Sequence, residues 1–305
     1  MRVTVLAGGT GGTKLAHGFA MLPDVELSVV VNVGDDAEIH GLLVCPDIDA
    51  VLYTLAGLID AERGWGVRGD TLTGHAMFER YGDETWFTVG DADLATHAHR
   101  TRLIRDGASL TEATAGMAAA LGIRARILPA SDDPWRTVIR TDEGTLAFQE
   151  YFVRRRQEPE VRGVESEGDA GPTSDALAAL DEAELIVIGP SNPIVSVGPI
   201  LALAGMRPRV ERSTARRLAV SPIVAGQALK GPADRMLSSL GHEVSAIGVA
   251  RIYAGLVDAF VLDEADAALG PAVEELGMQA VVLPTVMRAD ADRAALATAI
   301  VAGLT

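Results

Sequence analysis

An apolar, β-branched run, Arg2-Val3-Thr4-Val5-Leu6-Ala7, breaks directly into Gly8-Gly9-Thr10-Gly11-Gly12. The run suits a buried parallel strand, and the residues from Thr13 to Met21 read as the helix that follows. A strand, a glycine turn and a helix N-terminus gather unpaired N–H groups at one point, which attracts anions and phosphate above all. Glycine is expected there because a Cβ would hold the backbone off the phosphate oxygens, and because some positions need φ > 0. Gly8, Gly9, Thr10, Gly11, Gly12 and Lys14 are therefore the candidate phosphate-binding residues. The motif is not a P-loop, which needs Gly-Lys-Ser/Thr where this chain has Gly12-Thr13-Lys14. Nor is it a dinucleotide fingerprint, whose third glycine falls on Lys14. A tight turn without a ligand is the competing reading. Lys14 weighs against it, since the chain has two lysines, Lys14 and Lys230, among 26 basic residues, and one of them sits on this turn.

Strand and helix alternate down the chain. Residues 26–33 form a second continuous apolar run, ending at Gly34-Asp35-Asp36. Pro46-Asp47-Ile48-Asp49 opens a helix carried on by Leu52, Leu55, Leu58 and Ile59 at helical spacing, with proline and acids in its first turn. Gly90-Asp91-Ala92-Asp93 leads into another helix, and Ser109 with Glu112 makes a capping-box spacing for a third. Residues 124–128 read as a strand, and 137–139 with 145–153 as a β-hairpin. Residues 154–173 are charged, contain proline and glycine, and lack periodicity, so they read as a mobile excursion or lid, or equally as a plain surface loop. Strands at 185–188, 218–220, 257–262 and 280–283, with helices at 194–204 and 293–302, restore the rhythm. The alternation predicts a single α/β domain over residues 1–305, a doubly wound, mostly parallel sheet with a hairpin and loop insertion at 135–173.

Charge narrows the ligand. A formal net charge of -16 repels nucleic acid and anionic lipid. No apolar run approaches the roughly 20 residues of a membrane span. The absence of a charged-then-apolar leader and the lone Cys45 predict a cytoplasmic protein without disulfides. In an open α/β sheet ligands gather beyond the carboxyl ends of strands, so Asp35 and Asp36 belong to the same crevice as the glycine turn. A phosphate held in so acidic a chain needs the surrounding acid bridged by metal or offset by local arginines. Asp35, Asp36 and Asp47 are read as Mg²⁺ ligands before they are read as bases. With Asp49 they place four carboxylates within 15 residues, more acid than caps and turns require.

Other motifs are weaker. Ser191 and Ser221 close strands but sit in no G-x-S-x-G, so phosphate or base recognition is expected of them rather than acyl transfer. His97 and His99, two apart, point to different sides of a helix and make a poor metal pair. Arg100, on a helix with Arg102 and Arg105, could meet a phosphate, a solvated arginine face being the commoner reading. No H-E-x-x-H or Cys/His cluster occurs, which removes zinc hydrolase readings.

Seven segments occur in register: Ala7-Gly8-Gly9-Thr10-Gly11-Gly12-Thr13-Lys14-Leu15, Val31-Asn32-Val33-Gly34-Asp35-Asp36, Cys45-Pro46-Asp47-Ile48-Asp49, Gly90-Asp91-Ala92-Asp93, Ser131-Asp132-Asp133-Pro134, Gly189-Pro190-Ser191-Asn192-Pro193-Ile194 and Val220-Ser221-Pro222-Ile223-Val224. The set resembles the 2-phospho-L-lactate transferase family of deazaflavin coenzyme (F-420) biosynthesis and spans almost the whole chain. The resemblance implies a Rossmann-like α/β core, a homodimer, and a Mg²⁺-dependent transferase. Such an enzyme moves a phospho-three-carbon-acid unit from a GDP-linked donor to the ribityl hydroxyl of a deazaflavin acceptor, releasing GMP. By position Asp49 matches the family's acceptor-contacting aspartate and Gly8 to Lys14 its phosphate-side loop. Asp35 and Asp47 match acids near metal and acceptor, and Ser191, Asn192 and Ser221 the donor-nucleotide side. Asp47 and Asp49 are the candidate proton acceptors. Some relatives carry a basic residue beside or within G-D-x-D, where this chain has Thr88 and Ala92, so the acceptor is left open, as is the three-carbon acid. The rival is a regulator of the gluconeogenesis-factor type, which shares the glycine-rich opening and binds nucleotide-sugars without catalysis. The acid cluster and Ser191-Asn192-Pro193 favour the enzyme, and an NAD(P) oxidoreductase lacks its third glycine.

Overall fold

The computed structural model describes residues 1–303. Seven strands build the central sheet: β1 (Arg2–Ala7), β2 (Glu26–Val31), β3 (Arg126–Pro129), β4 (Leu185–Ile188), β5 (Arg216–Val220), β6 (Ala259–Asp263) and β7 (Gln279–Leu283). Their order is β7-β6-β5-β4-β1-β2-β3, and every neighbouring pair is parallel. This is a Rossmann-like sheet, with the order reversing beside β1, so the loops after β1 and β4 face each other across the switch-point crevice. Helices cover both faces, which is why the inner strands are continuous apolar runs rather than alternating ones. Val3 and Val5 of β1 join one core with Leu15, Phe19, Ile48 and Leu52. Leu6, pointing the other way, joins the second core with Ile186, Ile188 and Phe260.

Five helices position the site: α1 (Gly9–Ala20), α2 (Pro46–Leu55), α3 (Thr73–Tyr81), α4 (Asp91–Arg105) and α5 (Leu110–Ala120). The Ser109–Glu112 capping box opens α5 as its spacing predicts. The helix begun at Pro46 stops at Leu55, because Gly57 takes φ +70° and turns the chain. Leu58 and Ile59 therefore leave it, and Ile59 bridges to Val67 instead. Of the helix expected over 194–204 only Gly198–Ala202 forms.

The insertion differs from its expectation in a way that matters for the site. Arg136–Thr141 and Gly144–Ala147 pair as a hairpin, but Glu150–Arg154 then coil into a π-helix rather than extending the second strand. Within the segment read as an excursion, Val161–Glu167 forms a third strand against Arg136–Thr141. Its only apolar side chains, Val161 and Val164, stand three apart among charged and small residues, so it shows no period of two to a sequence reading. The small sheet docks on the turn after β2: the Thr137 N–H donates to the Gly34 carbonyl at 2.8 Å, and Gln149 Nε2 to the Asp35 carbonyl at 2.9 Å.

Candidate active site

The glycine turn is held by its own chain. Gly8 is the N-cap of α1, extended at φ -148° and ψ 152°. The Gly9 N–H donates to Asp47 Oδ1 at 2.6 Å, and the Gly12 N–H to Ser191 Oγ at 3.0 Å. Within the Gly8–Gly12 run only Gly9 takes a positive φ, +64°. A Cβ on Gly8 would lie 2.9 Å from Asp47 Oδ2, one on Gly12 would lie 2.6 Å from Ser191 Oγ, and one on Gly11 would overlap the Pro190 carbonyl oxygen. These glycines let the loops after β1 and β4 interlock, a packing need beside the expected approach of phosphate oxygens. Gly8 and Gly12 are buried behind the crevice. Gly9, Thr10, Gly11, Lys14, Ser191, Asn192 and Ser221 line a cavity of about 840 Å³.

One wall of that cavity carries Asp35 and Asp47. Asn32, fully buried at the end of β2, spans them: its Nδ2 donates to Asp35 Oδ1 at 3.1 Å and to Asp47 Oδ2 at 2.9 Å. Its Oδ1 accepts from the Gly34 N–H at 2.8 Å. Burial, then the Asp47 charge, pushes Asp35 well above the usual carboxylate range. Burial pushes Asp47 up to about 6, against the Gly9 N–H and Asn32 amide, which favour its charged form. Asp36, expected among the metal ligands, does not line the cavity. It accepts from the Cys45 thiol behind the wall, where burial raises it to about 7 despite the nearby Arg136 charge. The turn reverses the chain between the two aspartates, so adjacent residues face opposite sides.

The second wall comes from α2 and α4. Asp49 forms an ion pair with Arg100, which is 0 % exposed, and both carboxylate oxygens are engaged by its two terminal nitrogens. Tyr53 donates to Asp93 Oδ1 at 2.7 Å. His97 is buried between the two acids, with Nδ1 3.5 Å from Asp49 and Nε2 3.5 Å from Asp93. Burial raises Asp93, but His97, Tyr53 and the Arg100 charge outweigh it and hold Asp93 below its ordinary value. Asp91, the other acid of G-D-x-D, is structural: it accepts from the Thr73 and Gly74 N–H groups at the start of α3. Asp70 does the same for Ala92 and Asp93 at the start of α4. Thr88 lines the cavity, while Ala92 is exposed.

Two findings correct the sequence reading here. Arg100 is no solvated face residue, and Asp49 is not a free proton acceptor because a guanidinium occupies it. Asn32, Asp93 and His97 were missed. Asp93, His97 and Arg100 stand at i, i+4 and i+7, one helix face, and His97 and His99 do diverge, His99 being exposed.

Lys14, Arg63, Lys230 and Arg288 line the same cavity as the acids, so it carries charge of both signs, and Tyr53, Trp65, Phe87, Phe148 and Phe152 add flat apolar surface. The acid wall at Asp35 and Asp47 fits a hard dication such as Mg²⁺: two carboxylates on the cavity, bound by amide and backbone donors and by no cationic side chain among the described residues. Asp49, Asp93 and His97 also bring ligand atoms within 4.8 Å of one another, but Arg100 and Tyr53 already satisfy their carboxylates.

A family model described as 2-phospho-L-lactate transferase CofD matches residues 3–293. The chain is similar to a 2-phospho-L-lactate transferase of Methanosarcina mazei, 43% identical over 286 residues, covering 93% of this chain and 94% of that one. It is 40% identical over 303 residues to a 2-phospho-L-lactate transferase of Methanopyrus kandleri, covering 97% and 96%. A phosphoenolpyruvate transferase of Kitasatospora aureofaciens is 40% identical over 297 residues, covering 94% and 92%. The crystal structure of a UPF0052-family protein of Bacillus halodurans matches with a TM-score of 0.65 over 98% of both chains at 19% identity, a likeness of fold.

Proposed function

The chain belongs to the 2-phospho-L-lactate transferase family and is a transferase, and from that premise we propose that it acts with Mg²⁺ in coenzyme F-420 biosynthesis. In this reading it moves a phospholactyl or phosphoenolpyruvyl unit from a GDP-linked donor to the ribityl hydroxyl of a 7,8-didemethyl-8-hydroxy-5-deazariboflavin acceptor and releases GMP. The observation that carries the reading is the cavity at the switch point, lined by uncompensated carboxylates and by cations together. A metal diphosphate offers the opposite charge to each.

Asp35 and Asp47 would hold the Mg²⁺, which when bound neutralises charge on the diphosphate. Asn32 keeps the two carboxylates at a common spacing. Lys14 and the exposed N–H edge of the glycine turn receive the phosphate side of the donor, with Ser191, Asn192 and Ser221 on the facing loops. Asp49, fixed by Arg100, orients the acceptor and takes no proton. Phosphoryl transfer through a loose transition state depends on positioning and charge neutralisation more than on a strong base. The aromatic lining suits a planar ring system. The chain acts in this reading as a cytoplasmic homodimer.

Mass spectrometry of the deazaflavin product after incubation with Mg²⁺ and the phospholactyl, phosphoenolpyruvyl and phosphoglyceryl donors tests the proposal. A mass increase matching one donor is expected. No product and no GMP from any donor would overturn it.

A further inference from the structure

The cavity's two lysines are distinguished by their partners. Lys14 Nζ donates to the Met287 carbonyl at 3.0 Å, and Lys230 Nζ to the Arg63 carbonyl at 3.2 Å. Neither ammonium forms an ion pair with a carboxylate among the described residues, in a chain with 42 acidic residues. An ammonium resting on one neutral carbonyl keeps its whole charge and two of its three donors for another partner. The two also repel: burial first, then Arg293 and Lys230, lowers the Lys14 pKa. Like charges facing one cavity are relieved by an anion between them.

Their settings differ. Lys14 is half-buried on α1, while Lys230 is exposed on the loop after the short hairpin Ile223–Val224 and Gln227–Ala228. Its bond to Arg63 ties that loop to the 60–66 loop. Gly64, at φ +78°, leaves room for the contact, since a Cβ there would run into the ammonium. Beside this tie Trp65 and Leu229 line the cavity yet are 45% and 56% exposed, apolar surface left uncovered at the rim.

We propose that Lys230 is the moving half, and Lys14 the fixed half, of an anion clamp that closes on the diphosphate of a nucleoside diphosphate. On binding, Lys230 leaves the Arg63 carbonyl for a phosphate oxygen and draws Leu229 and Trp65 over the ligand. The inference rests on the reading above for the nucleotide and not for the anion.

Calorimetric titration of the full chain with inorganic pyrophosphate, GDP and guanosine tests it, in the wild type and in Lys230→Met and Lys230→Arg. Lys230→Met is expected to weaken pyrophosphate and GDP by roughly tenfold or more, the scale of one charged hydrogen bond, and to leave guanosine unchanged. Lys230→Arg should retain most of the affinity, and tryptophan emission should shift with pyrophosphate in the wild type but not in Lys230→Met. Absent pyrophosphate binding, equal affinities in wild type and Lys230→Met, or an equal loss for guanosine, would overturn the clamp. Lys230-dependent pyrophosphate binding without GDP binding would support the clamp and sink the nucleotide reading. GDP binding indifferent to Lys230 would do the reverse.

Discussion

Two pairs of aspartates share one cavity and keep opposite company. Asp35 and Asp47 are bridged by a neutral amide, and burial pushes both upward. Asp49 and Asp93 sit against a buried guanidinium, an imidazole and a phenol, and Asp93 is held below its ordinary value. The residue type is the same and the depth similar, so the difference lies in the counter-charge. The second pair is neutralised from within and can act as a rigid wall. The first is left in charge deficit, which a dication from outside would balance.

The contrast breaks most sharply in activity. Asp35→Asn or Asp47→Asn should cut GMP release about 10³-fold, the scale of losing charge stabilisation at a transferring phosphoryl group, with no fall in thermal stability. Near-normal turnover in Asp35→Asn would remove it from the mechanism. Arg100→Met should behave oppositely, destabilising the fold by about 3–5 kcal/mol because Asp49 is left buried and unpaired. Chemical denaturation of the single variant and of Arg100→Met with Asp49→Asn measures this, and the double variant should recover part of the loss.

Acidity separates the pairs next. Asp47 has a folded pKa of about 6 against an ordinary 3.8, so the folded state holds this proton where the unfolded state has released it. That contribution is fully present below about pH 4 and lost as pH rises through about 6, up to about 3 kcal/mol. Metal-free protein should therefore lose stability between pH 4 and 7, and Mg²⁺ should restore more at pH 7 than at pH 5. Urea titrations across that range provide the check, and Asp47→Asn should flatten the profile. Tyr53→Phe, which removes one donor from Asp93, should cost about 1 kcal/mol of stability, read as a small drop in unfolding midpoint.

How much of this was legible followed range in sequence. Strand–glycine–helix order and the return of β-branched runs are local signals, and they gave the parallel sheet and the side of it where ligands gather. The glycine turn past β1 and the acids past β2 were legible together because strand ends in such sheets converge. Pairing across the chain was not. Nothing local says that Arg100 turns inward, since its partner Asp49 lies 51 positions away on another helix. Asn32 left only a faint mark, one amide in a run of valines. Val161–Glu167 was lost because its two valines stand three apart among charged and small residues. Asp36 went wrong for the simplest reason: neighbouring residues in a turn need not share a side.

The interlock of the first and fourth strand ends bears on how such a protein can diversify. Saturation mutagenesis should find positions 8, 11, 12 and 189 intolerant whichever ligand is assayed, since a methyl at 189 would lie 2.6 Å from Gly12 Cα. At those positions the constraint is the fit of one loop into the other. Substrate preference is free to drift at the rim and in the inserted sheet, where new side chains meet solvent, so the scaffold can change its cargo without reopening its seam.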